Sequence, residues 1–269
     1  MQITQIIIGI TFGILVSVIA WRLGSLSNSG AISAAITGAL IFGIGGFSWG
    51  ALLLAFFISS SLLSKTFKRR KTGLSDKFSK GSQRDWGQVL ANGGVGTLIV
   101  IISSIYPRES WPWFAFAGTL AAVNADTWAT ELGVLNPTSP RMITNRKKVE
   151  PGTSGAISLY GTIATLGGAG FIGIVGALFT PARQIFPLLL AAVLGGVCGS
   201  LFDSVLGATV QAIYYCPNCD KETERHPQHI CGMETKQIRG WDWLNNDLVN
   251  FLASLVGAII GTGVWFCLS

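Results

Sequence analysis

Two acidic residues close a long apolar run in Asn124-Ala-Asp-Thr-Trp-Ala-Thr-Glu-Leu-Gly133, and Arg146-Lys-Lys-Val-Glu-Pro-Gly-Thr-Ser-Gly155 follows. Asp126 and Glu131 supply carboxylates; Arg146, Lys147 and Lys148 supply cations. Gly152, Thr153, Ser154 and Gly155 read as a turn opening the next apolar run, with backbone N–H groups and the helix dipole aimed at an anion. A charged side chain at the centre of a membrane helix costs about 2.5–3.5 kcal/mol on insertion scales, so it tends to persist where function holds it. Carboxylates that suit a hard divalent cation, beside lysines and a glycine-rich turn, are the parts needed to hold a metal-bound polyphosphate. The chemistry they point to is phosphate chemistry at a membrane.

The elements that must position these residues are hydrophobic helices. Apolar residues make up 49% of the 269-residue chain and charged residues 12%, against about 25% charged in ordinary soluble domains. Apolar runs recur at about 2–21, 31–46, 48–64, 87–106, 112–133, 155–179, 187–212 and 246–267. Most approach the roughly 20 residues that an α-helix needs to cross a bilayer. The expected fold is an all-α, polytopic transmembrane bundle of eight spans, or seven if the short second and third runs form one re-entrant pair. Residues 1–269 then make a single integral-membrane domain, with 213–241 as a loop that could fold as a zinc knuckle.

Of the 19 lysines and arginines, all but Arg108 and Arg183 fall in the alternate loops at 22–30, 65–86, 134–154 and 213–245. The positive-inside rule makes those loops cytoplasmic and puts both termini on the other side. The first run lacks a basic region ahead of it, so it reads as an uncleaved span. The loop at 65–86 is basic and polar enough to be partly mobile. The net charge of +6 is an orientation signal and calls for no DNA or RNA partner.

On that topology the polar residues of five spans converge at the cytoplasmic side. Asp126 and Glu131 close the fifth span; Asp126 shares a face with Ala129, Thr130 and Gly133, while Glu131 lies with Asn124 and Trp128 on a neighbouring one. Asp203 sits in the inner half of the seventh, between Gly199 and Gly207. Asn246, Asp247 and Asn250 begin the eighth, and Asn92 with its glycines lies near the inner end of the fourth. Asp126, Glu131, Asp203 and Asp247 are candidate Mg²⁺ ligands. Lys147, Lys148, Arg146, Asn92, the 152–155 turn, Asn246 and Asn250 are candidate phosphate contacts, and Asp126, Asp203, Lys147 and Lys148 the candidate catalytic set. In the 213–241 loop, Cys216, Cys219 and Cys231 with His226 or His229 offer four ligands for a structural Zn²⁺. Glycine pairs such as Gly9/Gly13, Gly195/Gly199 and Gly257/Gly261 are expected to let helix backbones approach closely.

Asp126-x-x-Ala129-x-x-x-Gly133 followed by Lys147-Lys148-x-Glu150-Pro-Gly152-Thr153 resembles the pattern of CTP-dependent polyprenol kinases. With Gly199-Ser-Leu-Phe-Asp-Ser and Asn245-Asn-Asp-Leu-Val-Asn, the strings are similar to those of the phytyl-phosphate kinase family across essentially the whole chain. Proline inside the Glu-Pro-Gly-Thr turn departs from the alcohol kinases. The resemblance implies transfer of the γ-phosphoryl group of CTP, or another nucleoside triphosphate, to a prenyl (phytyl) phosphate lipid. The product would be a prenyl donor for tocopherol and phylloquinone synthesis, made in a plasma or thylakoid-type membrane. A cytidylyltransferase making a CDP-lipid could use the same groups. A lipid or ion transporter would place its acids at the midplane between repeated halves; here they crowd to one side and no repeat is evident.

Overall fold

The computed structural model describes residues 3–67, 77, 80, 81 and 83–268. Lys68, Arg69, Arg70 and Lys71, and with them most of the loop expected to be mobile, lie outside the described residues. The helices are α1 (Ile3–Arg22), α2 (Asn28–Leu40, continued by a π turn Ile41–Gly45), α3 (Phe47–Thr66), α4 (Trp86–Ile105), α5 (Trp111–Gly133), α6 (Leu159–Ala177), α7 (Ile185–Thr209) and α8 (Asn246–Leu268). Strands β1 (Arg141–Met142) and β2 (Ala156–Ile157) pair antiparallel between α5 and α6. Strands β3 (Ile213–Cys216), β4 (Lys221–Thr223) and β5 (Lys236–Arg239) form an antiparallel sheet of order β4-β3-β5 between α7 and α8.

Seven of the helical spans are long and apolar enough to cross a bilayer, and α5 is the one that falls outside that set. It is also the innermost helix, packed against α3, α4, α6, α7 and α8. Every residue from Phe114 to Ala125 is buried. A helix surrounded by helices needs small side chains more than greasy ones, because its neighbours and not lipid cover it. Contacts between loops show that α5 still traverses the bundle. Lys77, ahead of α4, bonds Glu150, after α5, so α4 and α5 run away from one end and back to it. The second and third runs are likewise separate spans: Ser27, at the start of α2, bonds Arg84, and Lys65, near the end of α3, reaches Leu23 O. The four basic loops therefore interlock at one end. At the other, Trp49 and Trp113 meet edge to face and Phe47 meets Phe179.

Close backbone approach holds the centre. A Cβ placed on Gly118 would stand 2.2 Å from Gly257 O, one on Gly261 2.4 Å from Phe114 O, and one on Gly199 2.5 Å from the Ala122 Cβ. On the flank, a Cβ on Gly9 would lie 2.4 Å from Gly43 Cα, within the π turn. The Gly118→Val variant should force α5 and α8 apart and lose on the order of 1–3 kcal/mol of stability. Gly170→Val, where nothing lies within 4 Å, should leave stability unchanged. Thermal unfolding of the two variants in detergent makes the comparison.

Candidate active site

Helices α5 and α7 run parallel, and their contacts advance in register. Gly118 meets Gly195, Ala121 meets Gly196 and Ala122 meets Gly199. One turn further each helix carries an acid, Asp126 on α5 and Asp203 on α7. Asp126 and Glu224 are the charged groups within electrostatic range of Asp203. The Asp203 Oδ2 atom is buried with no hydrogen-bond partner among the described residues. A buried carboxylate oxygen without a donor, beside two more carboxylates, is costly unless a cation completes it. In charge and donor type these acids suit a divalent metal with oxygen ligands. Antiparallel α8 meets α7 at the Gly199 level through Ala253 O, so Asn250 and Asn246 lie toward the acid pair; Asn250 Nδ2 donates to Asn246 O at 2.9 Å.

Glu224 follows β4 and was not among the residues singled out by sequence. Its Oε1 accepts from Gln211 Nε2 at 3.0 Å, and Gln211 Oε1 accepts from Ser154 Oγ at 2.9 Å. This relay ties the sheet to the 152–155 turn. The turn packs on the end of α7: a Cβ on Gly207 would lie 2.6 Å from Ser154 Oγ, and one on Gly155 2.3 Å from Ala208 N. Gly155, at φ +81°, takes the left-handed backbone that glycine favours. The turn does not open the sixth helix as expected. Strand β2 intervenes, and α6 begins after Ser158, whose hydroxyl accepts from Gly161 N–H. Thr153 N–H and Oγ1 both donate to Glu150 O, and Ala156 N–H, just after the turn, donates to Thr153 O. Gly152–Gly155 thus positions Ser154 and Gln211 and is no helix-dipole cradle.

A second missed residue is Lys77, 7% exposed. Its Nζ donates to Glu150 Oε2 at 2.7 Å and Pro151 O at 3.2 Å, while its carbonyl accepts from Glu224 N–H. One lysine joins three loops. Arg146, Lys147 and Lys148 are exposed on the turn after β1. Arg239 reaches Gly207 O at 3.3 Å.

Of the four candidate Mg²⁺ ligands, Asp126 and Asp203 come together and Glu131 and Asp247 do not. Glu131 lies about 140° around α5 from Asp126, five residues at about 100° each, and faces α3, where its Oε1 accepts from Ser64 Oγ at 2.7 Å. Asp247 pairs with Lys80, which also holds Asp85 Oδ2 at 2.8 Å. Asn92 bonds Gln88 O and lines an apolar cleft between α2 and α3.

In the loop, ligand atoms of Cys216, Cys219, His229 and Cys231 all lie within 4.8 Å of one another. Cys216 and Cys231 Sγ are 3.6 Å apart, and His229 Nδ1 is 3.3 Å from Cys231 Sγ and 3.5 Å from Cys219 Sγ. The His229 hydrogen bond lowers the Cys231 thiol to about 6. His226 is excluded from the cluster, because its ring stacks on Tyr214 at 4.5 Å.

Fold and site define a polytopic membrane protein whose acidic centre lies at one end of an eight-helix bundle. The chain belongs to the integral membrane protein DUF92 family, whose model matches residues 11–258. It is 33% identical over 279 residues to Protein PGR of Arabidopsis thaliana, covering 95% of this chain and 94% of that protein. An uncharacterized membrane protein of Methanocaldococcus jannaschii is 33% identical over 241 residues, covering 89% and 86%. Protein VTE6, chloroplastic, of Arabidopsis thaliana is 27% identical over 241 residues, covering 87% of this chain and 64% of that protein. No solved structure matches the chain.

The Lys80 network carries a pH prediction. Asp85 caps α4 in a capping box with Gln88. Burial raises its carboxyl, but Lys80 and backbone donors outweigh that and hold it below the usual range. A depressed carboxylate contributes stability above its unfolded pKa, about 3.9, and loses it as pH falls through the folded value. Asp85→Ala should therefore cost about 1 kcal/mol at pH 7, with the gap from wild type closing below about pH 4. Unfolding curves at several pH values read this directly.

Proposed function

We propose that the chain transfers the γ-phosphoryl group of CTP to a prenyl monophosphate, with phytyl phosphate the leading acceptor. The observation that carries this is the juxtaposition of Asp126 and Asp203 on parallel helices, with Glu224 beside them, at the basic end of the bundle. The motif strings shared with the phytyl-phosphate kinase family and the likeness to a chloroplastic plant protein support the substrate class. The basic end is read as cytoplasmic and the membrane as plasma or thylakoid-type. An amphiphile with a phosphate head lies in the bilayer with its head at that interface.

Asp126, Asp203 and Glu224 would hold Mg²⁺, which when bound supplies charge neutralisation for the triphosphate. Exposed Arg146, Lys147 and Lys148 attract and orient the nucleotide phosphates. An oxygen of the acceptor phosphate attacks the γ-phosphorus, the bond to the β–γ bridging oxygen breaks, and CDP leaves with that electron pair. The acceptor is already ionised at neutral pH, so no acid here needs to serve as a base. Rate then depends on positioning and on stabilising charge.

The test uses purified protein with Mg²⁺, phytyl monophosphate and CTP labelled separately at the α and γ positions. Label from the γ position should enter a diphosphorylated lipid, and Asp126→Asn or Asp203→Asn should slow transfer on the order of a hundred- to a thousandfold. Label from the α position in the lipid would replace this reading by CDP-lipid synthesis. Transfer of neither label by folded protein would sink both, leaving transport.

The same reading puts a structural Zn²⁺ among Cys216, Cys219, His229 and Cys231. A zinc tetrahedron with 2.3 Å bonds to sulfur has S···S edges of about 3.8 Å, against 3.6 Å for Cys216 and Cys231. Metal analysis should find about one zinc per chain, lost in Cys216→Ser and His229→Ala and kept in His226→Ala; zinc-free wild type would discard the site.

A further inference from the structure

Phosphoryl transfer as proposed makes no use of Arg84, a half-buried cation with one fully buried nitrogen. Arg84 precedes α4 and enters the bundle between α2 and α3. Its main chain is fixed by Ser27 N–H on its carbonyl and by its own N–H on Ser25 O. Its guanidinium lies over the rings of Phe56 and Phe57, 5.4 and 5.5 Å from their centroids, and Nη2 donates to Ser60 Oγ at 2.8 Å. The Nη1 atom is buried with no hydrogen-bond partner among the described residues. Burial lowers the guanidinium to about 10, with Glu131 the opposing charge, so it stays cationic at neutral pH. A buried charged donor with nothing to donate to is costly, and the cost is removed by an anion.

Two cavities meet at this side chain. One, of about 600 Å³ and of mixed polarity, lies at the loop end, lined by Arg84, Lys65, Ser61, Ser64, Ser25 and Gln83 among others. The other is an almost wholly apolar cleft among α1, α2, α3 and α4, lined by Arg84 with Phe56, Phe57, Leu53, Phe42 and Val16 among others. A cationic, hydroxyl-rich chamber joined through one arginine to an apolar cleft of about 70 Å³ suits a phosphate head and the first few carbons of a hydrocarbon chain, the rest of which would lie in lipid.

We infer that the Arg84 chamber and the adjoining cleft form the acceptor subsite, taking a single-chain lipid by its phosphate head on Arg84 and Lys65 and the first carbons of its tail among Phe56, Phe57 and Leu53. This rests on the lipid-phosphate kinase reading and assigns its second substrate a place. Glu131, which receives Ser64 and faces Arg84, and Asp126, which faces α7, flank Thr127 and exposed Thr130 on the last turns of α5. An acceptor phosphate on the first flank and a metal-bound triphosphate on the second would meet across that stripe.

The test pairs kinetics with photolabelling of the full chain. Arg84→Gln should raise KM for phytyl monophosphate about ten- to a hundredfold and leave KM for CTP unchanged, with Arg84→Lys recovering part of the loss. Exposed Lys65→Gln, which is not expected to disturb folding, should shift the same KM in the same direction. A prenyl monophosphate carrying a diazirine on the first carbons of its tail should label peptides of α3. Phytol, which lacks the phosphate, and inorganic phosphate, which lacks the tail, should compete poorly. Strong competition by inorganic phosphate would reduce the site to an anion site and overturn the lipid assignment. Unchanged lipid KM in all three variants, with label outside α3, would overturn it while the kinase reading stands. Label in α3 without any phosphoryl transfer would keep the lipid site and remove the kinase.

Discussion

Everything at the acidic centre depends on how closely α5, α7 and α8 pack. Inside a bilayer there is little hydrophobic drive between helices, so association rests on van der Waals contact and on what backbones can reach. Glycine at 118, 195, 199, 257 and 261 lets carbonyls and Cα atoms of neighbouring helices touch. That spacing decides the chemistry. With bulkier residues the helices would stand further apart, and Asp126 and Asp203 would no longer lie within electrostatic range of each other. The packing stripe and the acid pair are successive turns of the same two helices, so the structural device and the functional one cannot be varied independently.

The loops solve a second problem. Four separate connections must be held together at one end of the bundle. Lys77 does this from a buried position, bonding the Glu-Pro turn by its side chain and the end of β4 by its carbonyl. Lys80 does the same between the start of α4 and the start of α8. Lysines clustered in the loops at one end are expected on topological grounds alone; Lys77 and Lys80 here are also struts between loops.

That distinction explains what the sequence could disclose. Intramembrane Asp126 and Asp203 stood out because carboxylates there are rare, and glycine spacing foretold the contacts that bring them together. Helical periodicity had already put Glu131 on a different face from Asp126, since five residues turn the side chain away; kept as a candidate ligand beside it, it faces α3 instead. Glu224 and Lys77 carried no such signal. One sits among Lys221, Glu222 and Arg225, the other in a basic loop, and only strand pairing and loop docking single them out. The 152–155 turn was misplaced because Ser158 is as good a cap as Thr153 or Ser154, and the choice between them is made by β2 pairing with distant β1. His226 and His229 were indistinguishable until the fold put one on Tyr214 and the other among sulfurs.

The cysteine cluster then gains a meaning beyond holding a loop. Strand β3 ends at Cys216 and pairs with β4, whose last residue, Thr223, precedes Glu224. Cys231, from the following segment, closes on Cys216, and Thr235 beyond it bonds Arg225 O. The segment that carries Glu224 is thus gripped on both sides by contacts that the cluster organises. A three-stranded sheet this small has little apolar area to stabilise itself. If four ligands on one metal supply what burial cannot, the position of Glu224 against Asp203 is set by that metal, although none of its ligands touches substrate. Loss of the cluster would then act on catalysis through Glu224 and Gln211 while leaving the helices, packed by glycine and alanine, as they are.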